Sequence, residues 1–145
     1  MHITDVLRGK GRDVFTVPPD TTVRDLLDVL SEFEIGAAVV SADSEHVDGI
    51  VSERDIVRAL AARGAAVLSE DVSTIMTREV VCTEPTELVD VIFGVMTQQR
   101  IRHLPVMIDD RLGGLVSIGD LVKYRMAELE NERDTLAQYI NAAST

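Results

Sequence analysis

The sequence predicts an α+β fold in which one supersecondary unit is used twice, and three observations carry that expectation. The segment Gly49-Ile50-Val51-Ser52-Glu53-Arg54-Asp55-Ile56-Val57 recurs as Gly114-Leu115-Val116-Ser117-Ile118-Gly119-Asp120-Leu121-Val122. Upstream of it Val14, Pro19, Val23, Ile35 and Val40 are matched by Val80, Pro85, Val89, Ile101 and Val106, with a one-residue slip in the loop after Val40. Both copies also alternate short β-branched runs with runs whose apolar residues fall three and four apart, which reads as strand, helix, strand, strand, helix.

Each element has a local reason. A β-branched segment, Val14 to Val17 or Val80 to Thr83, leads into a proline turn, as a strand does. The turn offers Thr21 or Thr22, and Thr86, as N-cap oxygens for a helix with apolar residues at Val23, Leu26, Leu27 and Leu30, or at Val89, Ile92, Phe93 and Met96. Ala37 to Val40 with Val47 to Val51, and His103 to Ile108 with Leu112 to Ser117, are too short and too β-branched for helices and read as buried strands joined by polar hairpins. A second helix starts near Ser52 or Ser117. Ile3 to Leu7 and Val72 to Thr77 precede the two copies, and Ala61 to Asp71 joins them. The last helix continues past the repeat with Val122, Met126, Leu129, Leu136 and Ile140 at heptad-like spacing, interrupted by Arg133. The expected division is 1–67 for the first repeat with its lead-in, 68–130 for the second, and 131–145 for a C-terminal helical extension.

Composition narrows the function. Each copy of about 60 residues would be marginal alone, so the two are expected to share one body. A net charge of -11 over 145 residues argues against a nucleic-acid partner, which needs a basic surface. The apolar runs are short and the N-terminus lacks a charged region followed by an apolar one, so a soluble, cytoplasmic chain without a membrane partner is expected. Cys82 is the single cysteine, which excludes an internal disulfide and a multi-cysteine zinc site; on an expected buried strand with no base nearby it is no nucleophile. His2, His46 and His103 are scattered, and no metal is expected. Gly9-Lys10-Gly11-Arg12 lacks the spacing of a phosphate loop and reads as a turn. Met76, Met96, Met107 and Met126 read as core.

Taken in order, the Ile75-Met76-Thr77 lead-in, the Arg102-His103-Leu104-Pro105-Val106 strand and the two Gly-apolar-apolar-Ser-x-x-Asp motifs make the chain resemble the cystathionine-β-synthase (CBS) domain family over roughly residues 1 to 130. Two tandem copies look like a Bateman module. The resemblance implies two repeats related by a pseudo-two-fold axis, with two clefts for adenosine ligands: AMP, ADP, ATP, S-adenosylmethionine or NAD. It implies that Asp55 and Asp120 accept hydrogen bonds from ribose hydroxyls, with Ser52 and Ser117 beside the ribose or phosphate and Ile50 and Leu115 on the strands that lead to them. It also sets the opposite repeat against the adenine: Val80 to Cys82 and Ile101 for the Ser52–Asp55 cleft, and Thr16, Ile35, Gly36 and Ala37 for the Ser117–Asp120 cleft.

The residues make chemical sense for such a ligand. A carboxylate offers two acceptors to a vicinal diol, and the amides of a helix's first turn favour phosphate. Ser-x-x-Asp at a helix start is equally an ordinary capping pattern. Arg102 and His103 stand where the first copy has Gly36 and Ala37, so Arg102 can hold a phosphate bidentately, His103 can donate to it, and the two clefts differ. The expected function is a regulatory adenosine-ligand sensor without catalysis of its own, a homodimer acting on an unidentified effector protein. The alternatives are a ligand-independent dimerisation module and a small nucleotide-processing enzyme.

Overall fold

The computed structural model describes residues 1–11 and 13–144; Arg12, the end of the expected Gly9–Arg12 turn, and Thr145, the end of the helical extension, lie outside the described residues. In chain order the elements are α1 (Ile3–Lys10), β1 (Thr16–Val17), α2 (Val23–Glu32), β2 (Ala37–Val40), β3 (Gly49–Ser52), α3 (Glu53–Arg63), two 3₁₀ turns (Gly64–Ser69 and Val72–Thr74), α4 (Val89–Gln99), β4 (His103–Ile108), β5 (Arg111–Ser117) and α5 (Ile118–Ala143). Strand β2 runs parallel to β1 and antiparallel to β3, and β4 pairs antiparallel with β5. The α+β architecture of two repeats is thus present, and α5 carries the extension as one continuous helix.

Three local expectations are corrected. The second copy has no first strand: Val80 to Cys82 stay unpaired and only Thr83 bridges to β4. In the first copy the Val39 N–H donates to the Phe15 carbonyl at 3.3 Å. The matching residue in the second copy is Pro105, which has no N–H to give, so the ladder survives only around Thr83, whose N–H donates to the Pro105 carbonyl at 2.9 Å and whose carbonyl accepts from the Met107 N–H at 2.8 Å. Thr86 is not a cap either. Thr22 caps α2 by accepting from the Asp25 N–H at 3.1 Å, whereas the N-cap of α4 falls on Leu88, which has no side-chain oxygen. Strand β3 begins two residues later than expected because the preceding loop folds on itself, with Asp43 accepting from the Glu45 and His46 N–H groups at 2.9 and 2.8 Å.

The two cores do not follow the chain. Ile3, Val6 and Leu7 of α1 are buried with Val89, Ile92, Met96, Leu104, Val106, Val116 and Leu121 of the second copy. Val67 and Val72, which precede the second copy, are buried with Val17, Val23, Leu26, Leu30, Ala38, Val40, Val51 and Ile56 of the first. Each lead-in therefore closes the other repeat. Main-chain bonds repeat the exchange: the Val89 N–H at the start of α4 donates to the Met1 carbonyl at 3.1 Å, and the Val23 N–H at the start of α2 donates to the Glu70 carbonyl at 2.9 Å. The recurring glycines of the sequence motif make room for it. A Cβ on Gly49 would lie 2.6 Å from Met76 Sδ, and one on Gly114 would lie 2.9 Å from Leu7 Cδ2.

Of the four methionines read as core, Met96 is buried and Met76 packs against the first core, but Met126 lies exposed on α5. The whole heptad-like stripe is exposed: Val122, Met126, Leu129, Leu136 and Ile140, joined by Tyr139.

Candidate functional site

Both Ser-x-x-Asp motifs sit at helix starts and form reciprocal caps. At α3 the Ser52 hydroxyl accepts from the Asp55 N–H at 3.4 Å, while Asp55 Oδ2 accepts from the Ser52 N–H at 2.9 Å and from its hydroxyl at 3.1 Å. At α5 the Ser117 hydroxyl accepts from the Asp120 N–H at 3.1 Å, and Asp120 Oδ2 accepts from the Ser117 N–H at 2.9 Å. The capping alternative is therefore a real component of both motifs. It consumes one carboxylate oxygen, Oδ2, at each helix start and leaves the other for a further partner.

The sequence-derived residues are not all brought together. One open cavity of about 1100 Å³ runs between the repeats, and Gly36, Ile50, Ser52, Asp55, Val80, Ile101, Arg102, His103 and Ser117 lie on its wall. Thr16, Ile35, Ala37, Cys82, Leu115 and Asp120 do not line it. Thr16 instead meets the Ser44 hydroxyl at 3.2 Å at the start of β1. Cys82 is exposed, not buried on a strand, because that strand is missing; partial shelter of its sulfur pushes the thiol above its ordinary pKa. Met96, Thr97, Gln99, Ile118 and Gly119 complete much of the wall.

Electrostatically the cavity runs against the rest of the molecule. It gathers Arg54, Arg58, Arg100 and Arg102 in a chain of net charge -11. None of the ion pairs formed among the described residues uses any of the four. Arg54 donates to the Arg100 carbonyl at 3.2 Å. Arg100 is the C-cap of α4 in the left-handed conformation, φ 54°, and the bond neutralises the carbonyl end of that helix. Glu53, Asp55 and Glu79 are the acids on the wall.

His103 lies across Gly36, its Cε1 3.5 Å and its Nε2 3.6 Å from where a Cβ on that glycine would sit. Burial pushes His103 below its ordinary pKa, and the positive charges of Arg102 and Lys10 push it further the same way. At neutral pH the ring is uncharged and presents one N–H and one lone pair.

The two aspartates differ in their last partner. Among the described residues Asp55 Oδ1 accepts only from the Thr77 hydroxyl, at 3.4 Å. Asp120 Oδ2 accepts from the Lys10 ammonium at 2.5 Å, and that ammonium also donates to the Leu115 carbonyl at 2.7 Å. Burial raises the Asp120 pKa, but the hydrogen bonds from Lys10 and from Ser117 lower it more, and the net shift is downward. Sequence reasoning placed Lys10 in a turn; it ends helix α1, and only the exchange of lead-ins brings it there. Arg58, Arg100 and Thr77 were likewise missed. The wall position of Arg100 follows from its helix-ending conformation, which no sequence motif here announced.

The CBS domain family model matches residues 4–62 and 72–127, and the chain belongs to the CBS domain family as a tandem pair. It is 34% identical to CBSX3, a mitochondrial CBS domain-containing protein of Arabidopsis thaliana, over 95% of this chain and 71% of that protein. A CBS-domain protein from Agrobacterium tumefaciens superposes with a TM-score of 0.83 at 44% identity, over 86% of this chain and 99% of that one. The CBS domain protein of Pyrobaculum aerophilum complexed with AMP superposes with a TM-score of 0.76 at 28% identity, over 90% of this chain and 97% of that one.

Proposed function

We propose that the chain is a regulatory module that binds a phosphorylated adenosine ligand of the AMP, ADP or ATP type in the cleft around Asp55, without catalysis of its own. The observation that carries the reading is the set of four arginines, free of ion pairs among the described residues, that an otherwise acidic chain aims into one cavity. Ser52 and the first-turn amides of α3 lie where a phosphate or ribose is favoured, and Asp55 Oδ1 is available to a ribose hydroxyl. Val80, Ile101 and the backbone near them form the apolar wall for the base. The relative from Pyrobaculum aerophilum, solved with AMP, supports the same ligand class. S-adenosylmethionine and NAD remain in the adenosine class, but the arginines favour the ligand with phosphate over the sulfonium. We place the module in the cytoplasm; no helix of the described residues is long and apolar enough to cross a membrane.

A second reading is favoured by one observation. The exposed apolar stripe of α5 would serve a ligand-independent dimerisation module equally well, with the Ser-x-x-Asp motifs acting only as caps. Titration calorimetry with AMP, ATP and adenosine separates the two. Arg102→Ala should weaken AMP by about 1.5 to 3 kcal/mol and adenosine far less, the difference expected for a charge-assisted hydrogen bond to phosphate. Absence of heat with every adenosine ligand would leave the dimerisation reading standing. Turnover of ATP or AMP by the purified chain would overturn the non-catalytic part.

A further inference from the structure

We infer that Lys10 is a built-in occupant of the second cleft, holding the Asp120 half closed so that the molecule presents one adenosine site per chain. This rests on the adenosine-binding reading of the first cleft.

The two halves of the molecule provide an internal comparison. After Met76, the second lead-in runs along β3, where Thr77 and Ile50 exchange main-chain bonds, the Ile50 N–H donating to the Thr77 carbonyl at 3.0 Å and the Thr77 N–H to the Ile50 carbonyl at 2.8 Å. The neutral Thr77 hydroxyl then touches Asp55 at 3.4 Å. In the other half the carbonyl equivalent to that of Ile50 belongs to Leu115, and the Lys10 ammonium takes it at 2.7 Å together with Asp120 at 2.5 Å. A weak hydroxyl contact in one half is thus a charged bridge in the other.

Three consequences follow from the geometry. The ammonium sits on Oδ2, the oxygen that also caps α5, and it cancels the charge that would strengthen a bond from a second ribose hydroxyl to the same carboxylate. The cavity stops at Gly119, so that neither Asp120 nor Leu115 is on its wall. Lys10 is also held from behind: it ends a helix whose Leu7 is buried against Gly114, and the Gly11 N–H closes that helix on the Leu7 carbonyl at 2.7 Å. The helix delivers the ammonium to Asp120 already positioned, so a ligand must displace a preorganised ion pair, not a solvated side chain.

Two measurements test this on the full chain. The first is a double-mutant cycle in thermal unfolding with Lys10→Met, Asp120→Asn and the pair; the bridge requires that the two changes couple, and additive effects would overturn the inference without any ligand. The second is AMP calorimetry. Wild type is expected to bind one AMP per chain. Lys10→Met is expected to bind two, the added site strengthened about tenfold or more, the scale of one charge-assisted hydrogen bond. Adding Asp120→Asn to Lys10→Met should return the count to one, whereas adding Asp55→Asn should remove the original site and keep the new one. One AMP bound by both wild type and Lys10→Met overturns the inference and leaves the proposed function intact. Two equal AMP sites in wild type overturn it too, and no AMP bound by either protein overturns both.

Discussion

The proposed function gives Asp55 two duties that can be separated by one atom. Its Oδ2 caps α3 and its Oδ1 faces Thr77, so Asp55→Asn keeps a carbonyl oxygen for the Ser52 N–H while losing the charge presented to a ligand. The expected outcome is a melting temperature close to that of wild type and an AMP affinity lower by about 1.5 to 3 kcal/mol, with 2′-deoxy-AMP binding the unmutated protein worse by a similar factor. A large loss of melting temperature with unchanged affinity would assign Asp55 to the cap alone. His103 gives a pH signature. Its folded-state pKa is lowered, so the stability it contributes is complete above its ordinary value of 6.5 and declines as pH falls from there through the lowered value. A phosphate beside the ring would reverse the shift, and AMP binding near pH 6 should then draw a proton from the buffer. Calorimetry in buffers of different ionisation enthalpy reads this directly, and identical heats in all of them would place the phosphate away from His103.

Among the elements, the crossed lead-ins explain what the sequence could and could not disclose. Strands β2 and β4 and the starts of α3 and α5 were legible because each rests on a local cue: a β-branched run, or a serine followed three residues later by an aspartate. The loss of the second copy's first strand was not read, although Pro105 advertised it, because a missing donor matters only once the neighbouring strand is known to need it. The site followed the same rule. Ser52, Asp55, Arg102 and His103 were legible as motif residues, but Lys10 joins them through tertiary packing that no local pattern records. Gly114 tests that packing. Gly114→Ala should cost about 1 to 3 kcal/mol through overpacking against Leu7. Leu7→Ala should relieve the clash, so the double mutant should be less damaged than the sum of the two single changes in denaturant melts. Additivity would mean that α1 does not rest on β5 in solution.

For the whole molecule, the unresolved demand is the apolar stripe on α5, where Met126, Leu136 and Ile140 are 57%, 60% and 54% exposed. A second copy supplies the same stripe, and a homodimer is expected with most of this face covered. Light scattering should report twice the chain mass at micromolar concentration, and Leu136→Lys with Ile140→Lys should halve it; a wild-type monomer would count against the dimer. The exchange of lead-ins also sets an order of events during synthesis. By the time Thr77 has been made, the first core has every segment that closes it, including Val67 and Val72. The second does not: Ile3, Val6 and Leu7 are translated first yet must wait for β4 and β5, about a hundred residues later, before their apolar side is covered. Refolding should therefore show an early half and a late half, with the amides of residues 3–10 among the last to gain protection in pulse-labelled hydrogen exchange. A nascent chain stalled between the two halves would display the Ile3–Leu7 helix bare, and that is the stretch on which a chaperone would first take hold.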